Sequence, residues 1–434
     1  MAIMAAVSLI STAATAMTVG FATAALAFTA FATTFLVSVV TSYALKALMP
    51  KPDMSQAAAS SGGYASVNTL QPAAATAVIY GSVRTGGIVF YQETTDDNRY
   101  LHRLIAVAGH EVNEINDIYL NDEVVTVDGS GNVTYPSQYS GKVRIIKHLG
   151  TADQAADANL MSESTLWTNN HRARGIAYIY ARFLYDADAF PNGVPTVTTI
   201  VQGKSVYDPR TELTAYSDNA ALCLRDYLLS SGVSLTSELN DTLFTIAADI
   251  CDETVTLEAG GTQKRYTTNG TFTSEAAPKD VLSNLLGPLG GTLWYSQGVW
   301  GCKAAAYTTP VLSLDEDDLR SGIQIQTRNS RRDGFNRITG IFRGPETNYF
   351  ETNYPTLAPT AFLDADNGQE SELELNLPYV NTSAMAQRIA KISLYRNREQ
   401  LKISGSFGMR AYQLTIGDLV EITNTRLGFS NKVF

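Results

Sequence analysis

The chain has 434 residues, a net charge of −10 and only 17% charged residues, and it is too long for one ordinary hydrophobic core. A net negative chain gains little from phosphate contacts, so the composition argues against ordinary nucleic-acid binding. Cys223, Cys251 and Cys302 are far apart and odd in number. They do not fit a disulfide framework or a Cys-x-x-Cys metal site. They are predicted to be small buried side chains in a protein that is made in a reducing cytoplasm.

Residues 1–49 form an apolar stretch in which Lys46 is the first charged side chain. Its length suits one long helix or two short ones, and its many Ala, Gly, Ser and Thr residues let helices pack closely. No basic residue precedes the apolar run, so a secretory signal is a poor match. Three interpretations remain open: a helical bundle buried in an assembly, a segment released into a membrane, and a permanent membrane anchor.

The rest of the chain divides by composition. Residues 50–76 are rich in Ser, Ala and Gly and predict a flexible linker. Alternating apolar strands predict a β-rich domain over residues 77–213, and helices beside hairpins predict an α+β domain over residues 214–330. Residues 331–434 predict a second β-rich domain. Because the last residues read as the middle of a strand, we expect this domain to be truncated.

One pair of predicted strands stands out. Residues 176–184 and 196–202 are rich in β-branched and aromatic side chains, and Pro191, Asn192 and Gly193 lie between them. The Asn-Gly step favours a tight reversal. The sequence therefore predicts a β-hairpin here.

Four helices are predicted in the second half of the body. Asn219 or its neighbours can cap a helix over residues 220–229, and Asn240 or Asp241 can cap a second that runs to Cys251. A third is predicted over residues 278–286, ended by Gly287-Pro288, and a fourth over residues 383–398. Between them, Gln297-Gly298 predicts the turn of a strand pair over residues 291–300.

The motifs give no catalytic, cofactor-binding or metal site. The stretch from His110 to Glu114 begins like a zinc-protease helix but lacks the second histidine. Gly203-Lys204-Ser205 resembles the end of a P-loop, but Thr198 stands where the first glycine is required.

Several carboxylate clusters are also candidate sites. Asp96 with Asp97, or Asp186 with Asp188, could form a pair for glycoside chemistry, although adjacent acids in loops are usually only solvated. The acidic run 315–318 predicts a solvated loop or helix start. Residues 364–368 are one residue short of calcium-loop spacing and predict a tight turn. The remaining candidates are three histidines, which are predicted to be structural: His102, His148 and His171.

Six stretches together carry a resemblance to one protein family. They are 79–87 (IYGSVRTGG), 174–211 (beginning RGIAYIY), 216–228 (YSDNAALCLRDYL), 331–336 (RRDGFN), 386–390 (AQRIA) and 416–420 (IGDLV). In this order they resemble the central tail hub, or tip-attachment (host-specificity) protein, of long-tailed, lambda-like bacteriophages.

The resemblance implies a mainly β fold with an α+β domain, in which β-barrel-like hub domains follow the apolar N-terminal helical segment. It implies a structural protein rather than an enzyme: a homotrimer in the virion that closes the distal tail tube and opens for DNA ejection. Implied partners are the distal tail and tape-measure proteins, receptor-binding or fibre components, and DNA that passes without specific binding. Residues 1–49 could insert into the host membrane.

The protein would be made in the host cytoplasm and needs no cofactor. Two alternatives belong to other classes. A membrane-anchored cell-surface binding protein would account for residues 1–49, and a cell-wall hydrolase would need a groove with paired carboxylates.

Overall fold

The computed structural model describes residues 68–70, 74–328, 330 and 332–434. The chain divides into two compact units, Met1–Gln56 and Ala57–Phe434, and every described residue belongs to the second. The predicted apolar segment (1–49) lies outside the described residues, as does most of the predicted linker (50–76). Within that linker, Thr69–Leu70 forms a short strand instead of loop, because Asn68 is bound to the body: its side chain donates to the Val197 carbonyl at 2.9 Å and accepts from the Val197 N–H at 2.7 Å.

Two five-stranded sheets form the first part of the body, with strands numbered in chain order. Sheet 1 has the order β1 (Thr69–Leu70), β4 (Ile88–Thr95), β5 (Tyr100–Ala108), β10 (Ala177–Leu184) and β9 (Val143–His148). Sheet 2 has the order β3 (Ser82–Thr85), β11 (Val197–Gln202), β6 (Glu114–Leu120), β7 (Glu123–Val127) and β8 (Val133–Tyr135).

The two sheets face each other across one hydrophobic core. Alternate residues of each strand point inward, as in Ile179, Ala181 and Phe183 of β10, which are almost fully buried. The opposite sheet contributes Val197 and Val201 of β11 to the same core. The arrangement is a β-sandwich, in which apolar inner faces of two sheets interdigitate.

The predicted hairpin of residues 176–184 and 196–202 is wrong. Strand β10 pairs with β5 and β9, whereas β11 pairs with β3 and β6, so the turn carries the chain from one sheet to the other. Both strands contribute apolar side chains to the core between the sheets, Ile179 and Phe183 from β10 and Val197 and Val201 from β11, so they face each other across the sandwich.

The predicted barrel-like closure is also not found among the described residues. Both sheets are open, although their edges touch where Asn132 bridges Arg144 and the Ile145 N–H donates to the Gly131 carbonyl at 2.7 Å.

The outer face of sheet 1 is covered by residues 151–173, here called the strap, which contains the short helix α1 (Ala158–Glu163). A small second core lies beneath it, made of Leu104, Leu160, Trp167, Tyr178 and Tyr180. The helix begins at Ala158 because Asp157 caps it by accepting from the Leu160 N–H.

A third, larger core is built around helices. They are α2 (Ala220–Ser230), α3 (Asp241–Asp252), α4 (Pro278–Leu289), α5 (Thr360–Ala365) and α6 (Ser383–Arg398). Its buried residues come from both of the segments predicted as separate domains, 214–330 and 331–434, because α6 packs against α4 and against strand β21 (Arg337–Thr339).

The helix ends follow local chemistry. Asn219 caps α2 as predicted, since its side chain accepts from the N–H groups of Ala221 and Leu222. Helix α4 does not end at Gly287-Pro288 but continues to Leu289, where Gly290 takes a left-handed conformation (φ 55°). Because Pro288 lies in the last turn and its ring is buried, the core offsets its cost there.

Short strands complete the fold. The two-stranded pairs are β12 (Ser205–Asp208) with β13 (Leu213–Tyr216), β14 (Thr254–Thr256) with β15 (Thr262–Lys264), β16 (Gly270–Thr273) with β2 (Ala77–Tyr80), β17 (Thr292–Ser296) with β18 (Val299–Lys303), β20 (Gln324–Gln326) with β25 (Lys402–Ser404), β21 with β24 (Glu372–Glu374), and β22 (Ile341–Arg343) with β23 (Glu351–Asn353). The order β19 (Leu312–Leu314), β26 (Val420–Asn424) and β27 (Phe429–Val433) forms a three-stranded sheet.

Candidate functional site

The zinc-protease-like stretch lies in a loop and the start of β6, not on a helix. His110 Nε2 accepts the Ile79 N–H at 3.0 Å, and Nδ1 lies 2.7 Å from the Glu111 carbonyl, so both ring nitrogens have backbone partners. Burial lowers the pKa of His110. This histidine holds the β2 backbone in place.

The P-loop-like stretch connects β11 to β12 and does not enter a helix. The Lys204 ammonium lies 2.6 Å from Asp226 Oδ2, and the Tyr80 hydroxyl donates to the same oxygen at 2.5 Å. Gly203 packs so closely on Ile79 that a Cβ would lie 2.2 Å from the Ile79 carbonyl oxygen. These contacts bind the sandwich to α2, where Asp226 lies.

The candidate carboxylates have local structural partners. Asp96 and Asp97 lie in a turn with positive φ, and Asp186 pairs with Lys142 at 2.8 Å. In the acidic run, Asp318 pairs with Arg410 at 2.8 Å. The predicted tight turn within 364–368 is confirmed: it forms where α5 ends at Ala365, with Asn367 and Gly368 both left-handed.

The three histidines predicted to be structural come together at the strap. His102 is fully buried, with its ring nitrogens 2.9 Å from the Tyr180 hydroxyl and 2.7 Å from the Thr95 hydroxyl. His148 Nε2 lies 2.7 Å from Asp157 Oδ2, and its ring stacks on Tyr178. The third, His171, stacks on Trp167 inside the strap.

Glu163, the last residue of α1, is the centre of an ionic network. Its Oε1 accepts from Arg182 at 2.6 Å and from Arg144 at 2.9 Å, and both arginines project from sheet 1. Its Oε2 lies 3.4 Å from the Tyr180 hydroxyl and 3.9 Å from His102 Nδ1. All of these side chains are mostly shielded from solvent, so the carboxylate holds the strap to the sheet more strongly than an exposed pair would.

Burial governs the protonation of this network. Burial lowers the pKa of His102, although Glu163 and Glu93 act in the opposite direction, so the neutral imidazole is favoured. Burial likewise raises the pKa of Tyr178 and of Tyr180. Because His102 is sealed from solvent, its ring serves to attach the strap.

The sequence signals for this network were weak. Glu163 is 19 residues from both Arg144 and Arg182, and no spacing rule connects a helix end to two different strands of a sheet. The alternation of charged and apolar residues along β9 predicts that Arg144 lies on the outer face of the sheet. It does not predict that Glu163 is its partner.

A second ionic cluster lies at the end of α3. Arg210, in the turn between β12 and β13, pairs with Asp208, Asp249 and Asp252 at 2.7 to 3.0 Å. Since acidic groups at a helix C-terminus are disfavoured by the helix dipole, Arg210 offsets the two aspartates of α3. The pair of strands β12 and β13 is thereby held on α3.

The three cysteines, distant in sequence, lie in the same helical core and are fully buried. No group of three or more His, Cys, Asp or Glu side chains in the described ranges could hold a metal ion. Within the same ranges, no helix is both long and apolar enough to cross a lipid bilayer.

These features define the class of fold. The described chain is mainly β, a two-sheet sandwich joined to a helical core, and its polar clusters fasten one element to another.

Comparison with solved structures identifies a protein with a similar fold. The fold is similar to that of a chain in the virion of a native gene transfer agent (GTA) particle, with a TM-score of 0.57 and 17% identity, covering 85% of this chain and 82% of that chain. No protein-family model matches the sequence. No curated protein matches it either.

Two further solved structures align over most of the chain but superpose poorly. The prophage MuSo2 43 kDa tail protein from Shewanella oneidensis has 11% identity and a TM-score of 0.28, covering 83% of this chain and 88% of that chain. The tail protein from Neisseria meningitidis MC58 has 11% identity and a TM-score of 0.30, covering 83% and 89%. Superposition at this level is too weak to define a shared fold.

Proposed function

We propose that this protein is a structural hub at the tip of a phage-type tail. The observation that carries the proposal is the similarity of fold, over most of both chains, to a component of a gene transfer agent virion. The ordered sequence landmarks between residues 79 and 420 agree with it. In this role the protein closes the distal tail tube, connects it to receptor-binding parts and opens when DNA is ejected.

The polar clusters suit a load-bearing part. Lys204, Arg210 and Glu163 each bind a charged group on a different element, so these ionic side chains fix parts of the body to one another. The proposed partners are two further copies of this chain, the distal tail and tape-measure proteins, and receptor-binding or fibre components.

The location of the chain in a particle tests the proposal directly. Antibody raised against residues 77–213 is bound to purified particles and viewed by electron microscopy. We expect label at the end of the tail that is distal to the capsid. Label along the tube, on the capsid or absent from particles contradicts the proposal.

The mass in solution tests the homotrimer. The full chain is compared with a version that starts at Ala57, which keeps Asn68 and β1. Trimers of both versions place the assembly contacts in the body, and a trimer of the full chain alone assigns them to the apolar segment. Monomers of both versions contradict the homotrimer.

A further inference from the structure

One stretch of the acidic chain has the opposite charge. Between Glu374 and Asp418 there is one acidic residue, Glu399, and the basic residues outnumber it. They are Arg388, Lys391, Arg396, Arg398, Lys402 and Arg410. Four of them lie on α6, so the reversal of charge is concentrated on one helix.

Most of the cations on α6 lack acidic partners. Arg398 pairs with Asp366 at 2.7 Å, but in the part of the chain that the structure describes no carboxylate lies within 4.0 Å of Arg388, Lys391 or Arg396. These three residues are here called the cationic face. In the sandwich, Arg84, Arg144 and Arg182 are each paired with a carboxylate, whereas Arg103 of β5 donates to the amide oxygen of Gln92.

Backbone carbonyls orient the two arginines of the cationic face. Arg388 Nη1 donates to the Arg265 carbonyl at 2.7 Å, and Arg396 Nη1 donates to the Gly290 carbonyl, just beyond the end of α4, at 3.0 Å. A guanidinium has five N–H donors, so each arginine is held in place with donors to spare. Burial lowers the pKa of Arg388, while Tyr266 and Arg265 act on it in opposite directions.

The spacing of the cationic face suits a polyanion. Arg388 and Arg396 are eight residues apart on a helix, a rise of about 12 Å and a rotation of about 80° about the axis. The exposed Lys391 lies between them along the axis, about 60° to the other side of Arg388, so the three residues cover about 140° of the helix surface. Along one DNA strand the rise is about 3.4 Å per phosphate, so the face spans three to four phosphates. Tyr395 is the one exposed large apolar side chain on α6 within the described residues, which is little for a protein interface with an apolar centre.

We propose that the cationic face binds the phosphate backbone of duplex DNA without reading its sequence. Arginine forks match phosphate oxygens in pairs, and Lys391 adds a point charge. Phosphate contacts carry no sequence information, so the binding is weak, salt-dependent and equal for unrelated duplexes. The biological role of this binding rests on the proposed tail function, in which passing DNA would meet the cationic face. The binding itself can be measured whether or not that function holds.

The test measures binding of a fluorescent duplex to the full chain between 50 and 200 mM salt. The variant Lys391→Gln/Arg396→Gln removes two exposed cations, and the control Arg172→Gln/Lys279→Gln removes two from elsewhere that also lack acidic partners among the described residues. We expect the first variant to flatten the slope of log K against log salt by about 1.8, since each phosphate contact contributes about 0.9. The control should keep the wild-type slope, and circular dichroism confirms that each variant is folded.

Several results would overturn the proposal. They are the absence of wild-type binding at the lowest salt, an unchanged slope in the first variant, an equal loss in the control, or polyglutamate displacing the duplex as well as unlabelled DNA does. The last result would assign the face to an acidic protein. If DNA binding fails while antibody still labels the tail tip, only this inference is wrong, whereas binding without tip label contradicts the tail function alone.

Discussion

Ile79 and Tyr80 are neighbours in the chain, yet their side chains lie in different hydrophobic cores. Ile79 packs in the sandwich and Tyr80 in the helical core, and both are fully buried. This is possible because successive residues of a strand point to opposite sides, and β2 lies between the two layers. Strand β2 pairs with β16, with Thr271 opposite Ile79. This pairing joins the backbone of the sandwich to that of the helical part.

Tyr80→Phe should weaken this junction. The change removes the hydroxyl that donates to Asp226 and leaves the ring in place. Because a hydrogen bond to a charged, mostly buried carboxylate is stronger than a neutral one, we expect the free energy of unfolding to fall by about 2 kcal/mol in urea titrations. Tyr207→Phe, at an exposed position, is the matched control and should change it by less than about 0.5 kcal/mol. Equal effects in both variants would show that the Asp226 contact contributes little.

Glu163→Gln should loosen the strap. The amide keeps the shape of the side chain but leaves Arg144 and Arg182 without their shared charge, which should cost about 2 kcal/mol. Trypsin should then cut after Arg172 and Arg174 sooner than in the wild type, as followed by mass spectrometry. The control Glu258→Gln, on an exposed loop, should leave the cutting rate unchanged.

Stability should fall on acidification below neutral pH because of His102. Burial lowers its pKa in the folded state, so below the unfolded value of about 6.5 the unfolded chain binds a proton that the folded chain does not. The contribution is therefore fully present above that pH and is lost below it, by up to about 1.4 kcal/mol per pH unit. His110 behaves in the same direction.

The variant His102→Gln isolates that contribution. Urea titrations at pH 7.5 and pH 5.0 should show a smaller loss of stability in the variant than in the wild type. An equal or larger loss in His102→Gln would mean that other groups cause the acid sensitivity.

The cysteines should be inert in the native protein. Burial raises the pKa of Cys251 to about 12, and burial also raises the pKa of Cys223 and of Cys302. Since the thiolate is the reactive form, a thiol reagent such as DTNB should label none of the three at pH 8 within minutes. All three should react in 6 M guanidinium chloride. Fast labelling of the native protein would show that the helical core opens easily.

Local features of the fold were predictable from the sequence where a short-range rule applied. The helix over residues 383–398 matches its prediction, as does the Asn219 cap of α2. The Gln297-Gly298 turn also forms, because both residues take the positive φ that such a turn requires.

Features that depend on long-range pairing were not predictable. Whether β10 and β11 lie side by side or face each other depends on which strands pair with them. Strand β10 pairs with β5, which is far from it in sequence, and no short-range rule predicts that pairing. The helix α4 passes Gly287-Pro288 because buried neighbours stabilise its last turn, which a propensity rule does not contain. The attachment of Glu163 to two strands has the same origin, since it exists only once sheet 1 has formed.

The strap has one consequence for how the molecule opens. In the described structure its main-chain hydrogen bonds to other main-chain groups stay within the strap, except that the Ala173 carbonyl accepts from the Ile176 N–H just before β10. Its polar contacts with the strands of sheet 1 are made by side chains. A segment attached in this way can detach without breaking any strand pairing. Its amide hydrogens should therefore exchange with solvent through a local opening, at a free energy well below that of global unfolding, while those of β5 and β10 exchange only when the whole sandwich unfolds.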